Sequence, residues 1–153
     1  MALALRDAAP VAIGVDLSPR MVEAAARTGL YEALHVADVA QALQKEPAAS
    51  FDLVIAADVF VYIGDLAPIF AQAALALSRG GLFAFSVQKA DTHWALGADL
   101  RYAHGEDYLR ACAAGDATIA PSLSASASAA WTASSAVLNT CVPAALKPPP
   151  LAL

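Results

Sequence analysis

Val11–Pro19 reads VAIGVDLSP, and the fold turns on this stretch. An apolar run, Val11 to Val15, stops at Asp16. After Leu17 come Ser18 and Pro19, a hydroxyl N-cap and a proline at the first helical position, which is how a helix begins. The segment therefore reads as a buried strand that carries a carboxylate at its C-terminal tip and turns at once into a helix. In open parallel α/β sheets, ligands bind beyond the carboxyl ends of the strands, so Asp16 stands where a ligand is expected. An ionised carboxylate offers two acceptors to the two donors of a ribose diol. A turn residue or a spare helix cap is the plainer alternative for a single acid.

Outward from this stretch the same pattern returns. Leu34-His35-Val36-Ala37 is a short strand ending in Asp38, and a brief helix follows with Val39, Ala42 and Leu43 inward, up to Pro47. Phe51–Ala57, FDLVIAA, is apolar at every inner position, as a strand covered on both faces must be, and it ends in Asp58. Between these strands, the helix from Pro19 has Met21, Val22 and Ala25 on one face and closes at Gly29. Asp65 is expected to cap a helix bearing Leu66, Ile69, Phe70, Ala73, Ala74 and Leu77, with Gly80-Gly81 ending it. Leu82–Val87 is a further strand and Glu106–Ala114 a further helix; Ala2–Ala9 reads as the tail of a helix stopped by Pro10. Alternating strands and helices define the class as α/β with a parallel sheet. Asp16, Asp38 and Asp58 then share one rim, which turns alone do not explain. Asp52 begins its strand and belongs to the opposite edge, as a structural residue.

Composition narrows the function. The chain has 153 residues, enough for one domain, with 9 basic against 14 acidic residues and a net charge of −5. Without a basic run, nucleic acid is excluded as a primary partner. Two cysteines make no disulfide framework, and no cluster has metal-ligand spacing. The first residues lack a signal-peptide core, and no apolar run reaches membrane-spanning length, so a cytoplasmic protein without membrane contact is expected.

The blocks GVDLSPRM, LYEALHVADV, FDLVIAADVFVYIGDL, RGGLFAFSV and RYAHGEDYL, spread over residues 10 to about 112, resemble class I S-adenosylmethionine-dependent methyltransferases. The nearest pattern is the methyltransferase type 11-like group often found with tetratricopeptide repeats. The resemblance implies an incomplete Rossmann-like sheet with flanking helices, over residues 1–116. It implies S-adenosyl-L-methionine as cofactor, with Asp16 on the adenosyl ribose, Leu17 beside the adenine, and Asp38 and Val39 at the adenine edge. Asp58 and the turn through Tyr62 would line the methionine end and the methyl-transfer pocket. Asp58, Tyr62 and His104 are the candidate catalytic residues; Tyr102 and His104 would face substrate, or else serve packing and a helix start. The methyl acceptor would be a small molecule or a protein.

Two departures bear on activity. The family's first strand and glycine-rich loop should precede residue 1, and Gly14, inside a strand, cannot replace them. Weak or lost cofactor binding is therefore expected. The strands Val11–Val15 and Phe51–Ala57, which flank that first strand in the family, are expected to close up and pair directly, or to be bridged by a tail segment or a second copy. From Ala117 to Leu153 the only charged residue is Lys147; this Ala/Ser/Pro-rich tail has no strand or helix period and is expected to be disordered. The alternatives to a methyltransferase are a catalytically inactive remnant or interaction module, and a nicotinamide-binding Rossmann protein. The last would need G-x-G-x-x-G ahead of the ribose acid.

Overall fold

In a computed structural model of the chain, residues 11–91, 93–115 and 138–143 are described, the last of these as backbone alone. They fall into two units, Met1–Glu46 and Pro47–Leu153.

In the first unit, β1 (Ile13–Asp16) runs parallel to β2 (Ala33–Val36), in register from Ile13 opposite Ala33 to Asp16 opposite Val36. The connection is α1 (Pro19–Ala26), and α2 (Val39–Lys45) follows β2. Local signals place each element. Ser18 accepts the N–H of Met21 at 3.4 Å, with Pro19 opening α1. Asp38 Oδ1 accepts the N–H groups of Ala40 and Gln41, at 2.9 and 3.1 Å, and so caps α2. Inside β1, Gly14 lies against Leu34 and Tyr31 so closely that a Cβ there would come within 2.6 Å of Leu34 Cδ2. No described residue of this unit is buried.

The second unit contains β3 (Phe51–Ala56), a single 3-10 turn at Phe60–Tyr62, α3 (Ala67–Ala76) and β4 (Leu77–Ala90). Then come β5 (Trp94–Leu96), β6 (Tyr102–Gly105), α4 (Glu106–Ala114) and β7 (Leu138–Pro143). The sheet order is β3-β4-β6-β5, with β7 antiparallel on β4 from Leu82–Pro143 to Val87–Leu138. Phe60, Phe70, Phe83 and Phe85 form the centre of the core, with ring centroids between 5.1 and 6.3 Å apart. Leu66, Ile69, Ala73 and Ala76 complete the buried face around α3. At its C-terminal end, the carbonyls of Leu75 and Ala76 accept the N–H groups of Ala49 and Ser50, at 2.9 and 2.8 Å, so two orphan acceptors are satisfied by the chain entering β3. No loop follows: Leu77 is both the C-cap of α3 and the first residue of β4. The ladder then skips, Phe51 pairing Leu77 but Leu53 pairing Leu82. Ser78 in this bulge donates to Asp52 Oδ1 at 2.7 Å, which gives Asp52 the structural role its position predicts.

Several expectations are corrected. β1 and β3 do not pair; they stand in different sheets. Each strand instead bonds the one reached across its own helix, β1 to β2 over α1 and β3 to β4 over α3, which closes a parallel unit with the shortest connection. Within the tail, Leu138–Pro143 is a strand, antiparallel along β4. The expectation of disorder for the rest of 117–153, and of a helix end at Ala2–Ala9, lies outside the described residues. The helix after Asp65 ends at Ala76, not at Gly80, because Leu77 enters the ladder opposite Phe51. Its formal N-cap is Leu66, while Asp65 Oδ1 still accepts the N–H of Ala67 at 3.0 Å.

Candidate functional site

In the first unit, the register carries two acids to one rim. Asp16 closes β1 opposite Val36, and Asp38 follows two residues beyond Val36. The backbone continues this edge, with Ala37 N–H donating to the Asp16 carbonyl at 3.1 Å. Each carboxylate engages the backbone through one oxygen. Asp16 Oδ1 accepts the Ser18 N–H at 2.8 Å, and Asp38 Oδ1 accepts the two capping N–H groups. Among the described residues, Oδ2 of neither acid has a hydrogen-bond partner. Backbone N–H groups therefore orient both carboxylates through Oδ1 and leave Oδ2 of each open to a ligand donor. Leu17, beside Asp16, keeps 71% of its surface, an apolar side chain available to a flat ring; Val39 is half-buried. This set fits an adenosine: acceptors for ribose hydroxyls and an exocyclic amine, and an apolar contact for the base.

In the second unit, Asp58 lies two residues past the end of β3, exposed, with φ of 55°. Aspartate tolerates this left-handed conformation better than most residues. Its N–H donates to Ser86 Oγ at 3.1 Å, tying the turn to β4. Phe60, wholly buried, anchors the 3-10 turn, and Tyr62 at its end is 65% exposed with the Arg101 guanidinium 5.8 Å from the ring centre. Asp58 and Tyr62 are thus both presented to solvent by one short segment.

His104 is different. It is 0% exposed, and its Nε2 lies 3.0 Å from the carbonyl oxygens of both Ile63 and Gly64. Two acceptors require that Nε2 carry the proton. Nδ1 is buried without a hydrogen-bond partner among the described residues. Burial pushes the imidazole pKa below its ordinary value, against the pull of the two carbonyls, so the ring is neutral at neutral pH. β6 places this side chain under the segment after Tyr62, fully enclosed and bonded to backbone carbonyls. Its ring stacks on Tyr108, 6.1 Å between centroids. Tyr108 OH accepts the Leu66 N–H at 2.7 Å and donates to Asp65 Oδ1 at 2.8 Å. Burial, and then the Asp65 carboxylate, raise the phenol pKa far above its usual value, so it remains protonated. Sequence reasoning missed Tyr108, although its place in RYAHGEDYL, in the first turn of the helix that follows His104, was a usable signal. Tyr102 is half-buried, edge-on to Trp94. Among the described residues, no group of three or more His, Cys, Asp or Glu is placed to hold a metal ion. No described helix is long and apolar enough to cross a membrane.

Parallel strands joined by helices, with acids at their carboxyl ends, define a Rossmann-like architecture. A family model described as a methyltransferase domain matches residues 2–83, and the chain belongs to that family, the S-adenosylmethionine-dependent class I methyltransferases. Solved structures share the fold. One is a Pyrococcus horikoshii protein at 17% identity, covering 74% of this chain and 65% of that one, with a TM-score of 0.58. Another is a Leishmania major S-adenosylmethionine-dependent methyltransferase at 15% identity, covering 69% and 44%, with a TM-score of 0.57. A third, from Methanosarcina mazei and of the same description, has 16% identity, 68% and 67% coverage, and a TM-score of 0.51. The chain spans less than two thirds of the length of the first two. No curated protein matches it.

Proposed function

We propose that this chain contributes the adenosine-binding part of an S-adenosylmethionine-dependent methyltransferase acting on a small-molecule or protein acceptor in the cytoplasm. The observation that carries the reading is the pair of rim carboxylates, Asp16 and Asp38, each oriented by backbone N–H donors to Oδ1, with Oδ2 unpartnered among the described residues. When bound, the cofactor supplies an electrophilic methyl group on its sulfonium. In the first unit, Asp16 would hold the ribose hydroxyls, Leu17 would cover the adenine, and Asp38 with Val39 would engage its edge. In the second unit, Asp58 and Tyr62 would line the methionine end, where alignment and exclusion of water matter more than acid–base chemistry.

Affinity of this chain for the cofactor is expected to be weak. Gly14 is occupied by packing against Leu34 and Tyr31, and the described residues offer no glycine-rich cradle for the amino-acid half. Calorimetric titration of the full chain with S-adenosylmethionine is the test. Binding in the millimolar range, largely removed by Asp16→Ala, supports the reading, since unpaired ribose hydroxyls cost about 1–3 kcal/mol. Binding unchanged by Asp16→Ala ends the assignment of that residue, and a micromolar dissociation constant ends the claim of weakness. The exposed apolar residues Val11, Ile13, Val15 and Val36 favour a second reading, a non-catalytic module that associates through the first unit to complete its sheet. Sedimentation showing self-association together with no cofactor binding would select it.

A further inference from the structure

The segment Asp58–Leu66 is short, mostly irregular and gripped at successive points by the residues that follow β4. Arg101 covers Tyr62. Gly64 passes so near Tyr102 and Trp94 that a Cβ would lie 2.9 and 3.1 Å from their rings, so the backbone itself is the packing surface there. Tyr108 holds Leu66 and Asp65. Between these contacts lies the one wholly buried polar residue of the described chain, His104, with a single N–H shared by two consecutive carbonyls. Hydrophobic packing can keep a segment in place without fixing its peptide planes. A donor held 3.0 Å from the oxygens of both Ile63 and Gly64 fixes two planes in succession, and does so immediately after Tyr62. Burying an imidazole with an unpartnered Nδ1 costs stability, so a leucine or phenylalanine would serve simple core filling better.

We propose that His104 is a positioning residue: through Nε2–H it fixes the peptide planes of Ile63 and Gly64, and thereby the direction in which Asp58 and Tyr62 are presented. This rests on the reading of Asp58–Tyr62 as the methyl-transfer end. His104 itself touches neither donor nor acceptor. The role requires the neutral ring with its proton on Nε2, a donor at that point in space, and no charge.

The test uses the full chain with His104→Phe, which keeps a planar ring without the donor, and His104→Gln, whose amide N–H reaches to about the same place. Side-chain nitrogen NMR of the unmodified chain reads the tautomer. A proton on Nε2 supports the proposal, and a proton on Nδ1 overturns it. Amide exchange at Tyr62–Leu66 should quicken about tenfold in His104→Phe, the loss of one shared hydrogen bond, and return to within about twofold in His104→Gln. Equal exchange in all three chains, or a glutamine chain as fast as the phenylalanine chain, overturns it. If His104→Phe fails to fold, the tautomer and the glutamine exchange rates still decide. None of these readouts uses the cofactor. An absent S-adenosylmethionine signal in the unmodified chain would therefore strike the functional reading separately from the clamp.

Discussion

Phe60, in the second unit, is completely enclosed by three other phenylalanines, whereas Val15, in a strand of the first unit, keeps 38% of its surface. The contrast is general. Every buried residue described lies at Ala56 or beyond, and none lies in the parallel pair β1–β2. The first unit is specified by local chemistry: Ser18 and Asp38 as caps, Pro19 at a helix start, Gly14 where two side chains press on a strand. The second is specified by long-range packing. A two-stranded sheet with one or two helices is marginal in water by itself, because helices of this length draw their stability from an apolar face against something else. The acids proposed to hold the cofactor thus belong to the less buried unit, and the segment proposed for methyl transfer to the better buried one.

Substitutions at four positions and one titration put that contrast under strain. Phe60→Ala should cost the second unit about 3–5 kcal/mol in a guanidinium melt, as large aromatic truncations in a closed core do. A loss under about 1 kcal/mol would mean that the phenylalanine cluster is not the core. Tyr108→Phe strands the Leu66 N–H and takes a donor from Asp65, and should cost about 1–3 kcal/mol by the same melt. Acid should weaken the second unit through His104. Because burial lowers its pKa from 6.5, the unfolded chain takes up the proton first. Stability from this source is intact above about pH 6.5 and declines as pH falls below it toward the depressed value. His93, Lys89, Asp65 and Glu106 are charged or titratable on neighbouring elements, so the control is His104→Phe. If the acid slope survives in that variant, it belongs to those neighbours. In the first unit, Asp38→Ala should remove about 1 kcal/mol as a lost N-cap while Asp38→Asn retains it. Equal losses in both variants would show that the charge, not the cap, matters. Val15→Thr should shift stability by no more than about 0.5 kcal/mol, the usual range for exposed positions. A larger effect would show that another surface covers β1 in solution, and would bring the two units closer in kind.

The legible parts of this chain are those where short-range chemistry decides. VAIGVDLSP announced a strand, a turn and a capped helix, and each is present within two residues of its predicted place. FDLVIAAD announced a strand ending in an acid, also present. The hairpin Trp94–Gly105 was not legible, since strands of three and four residues around a polar turn carry no alternation to read. Leu77 misled because an apolar residue at helical spacing satisfies a helix face and a strand equally; only the pairing with Phe51 separates them. β7 was hidden in an Ala/Ser background. At the site, the positions of Asp16, Asp38 and Asp58 could be read, but not how their oxygens are shared out. Caps and ligand-binding acids use the same residue type at the same offset. His104 offered nothing in its immediate neighbours to show that β6 would bury it.

The bulge between Leu77 and Leu82 has an implication for how this domain tolerates changes in length. Four residues, Ser78 to Gly81, stand opposite the single residue Asp52, and beyond them the ladder resumes without further slip through Ala56 and Phe85. Extra residues inserted beside Gly80 would enlarge a bulge that is already out of register, at the end of the strands remote from Asp58 and Ser86. The carboxyl ends would keep their pairing, and the Asp58 N–H would keep its hydroxyl. The amino-terminal edge of this sheet is therefore an attachment point: a short tag or reporter peptide placed between Arg79 and Gly80 would ride on the domain without being transmitted to the segment that follows β3.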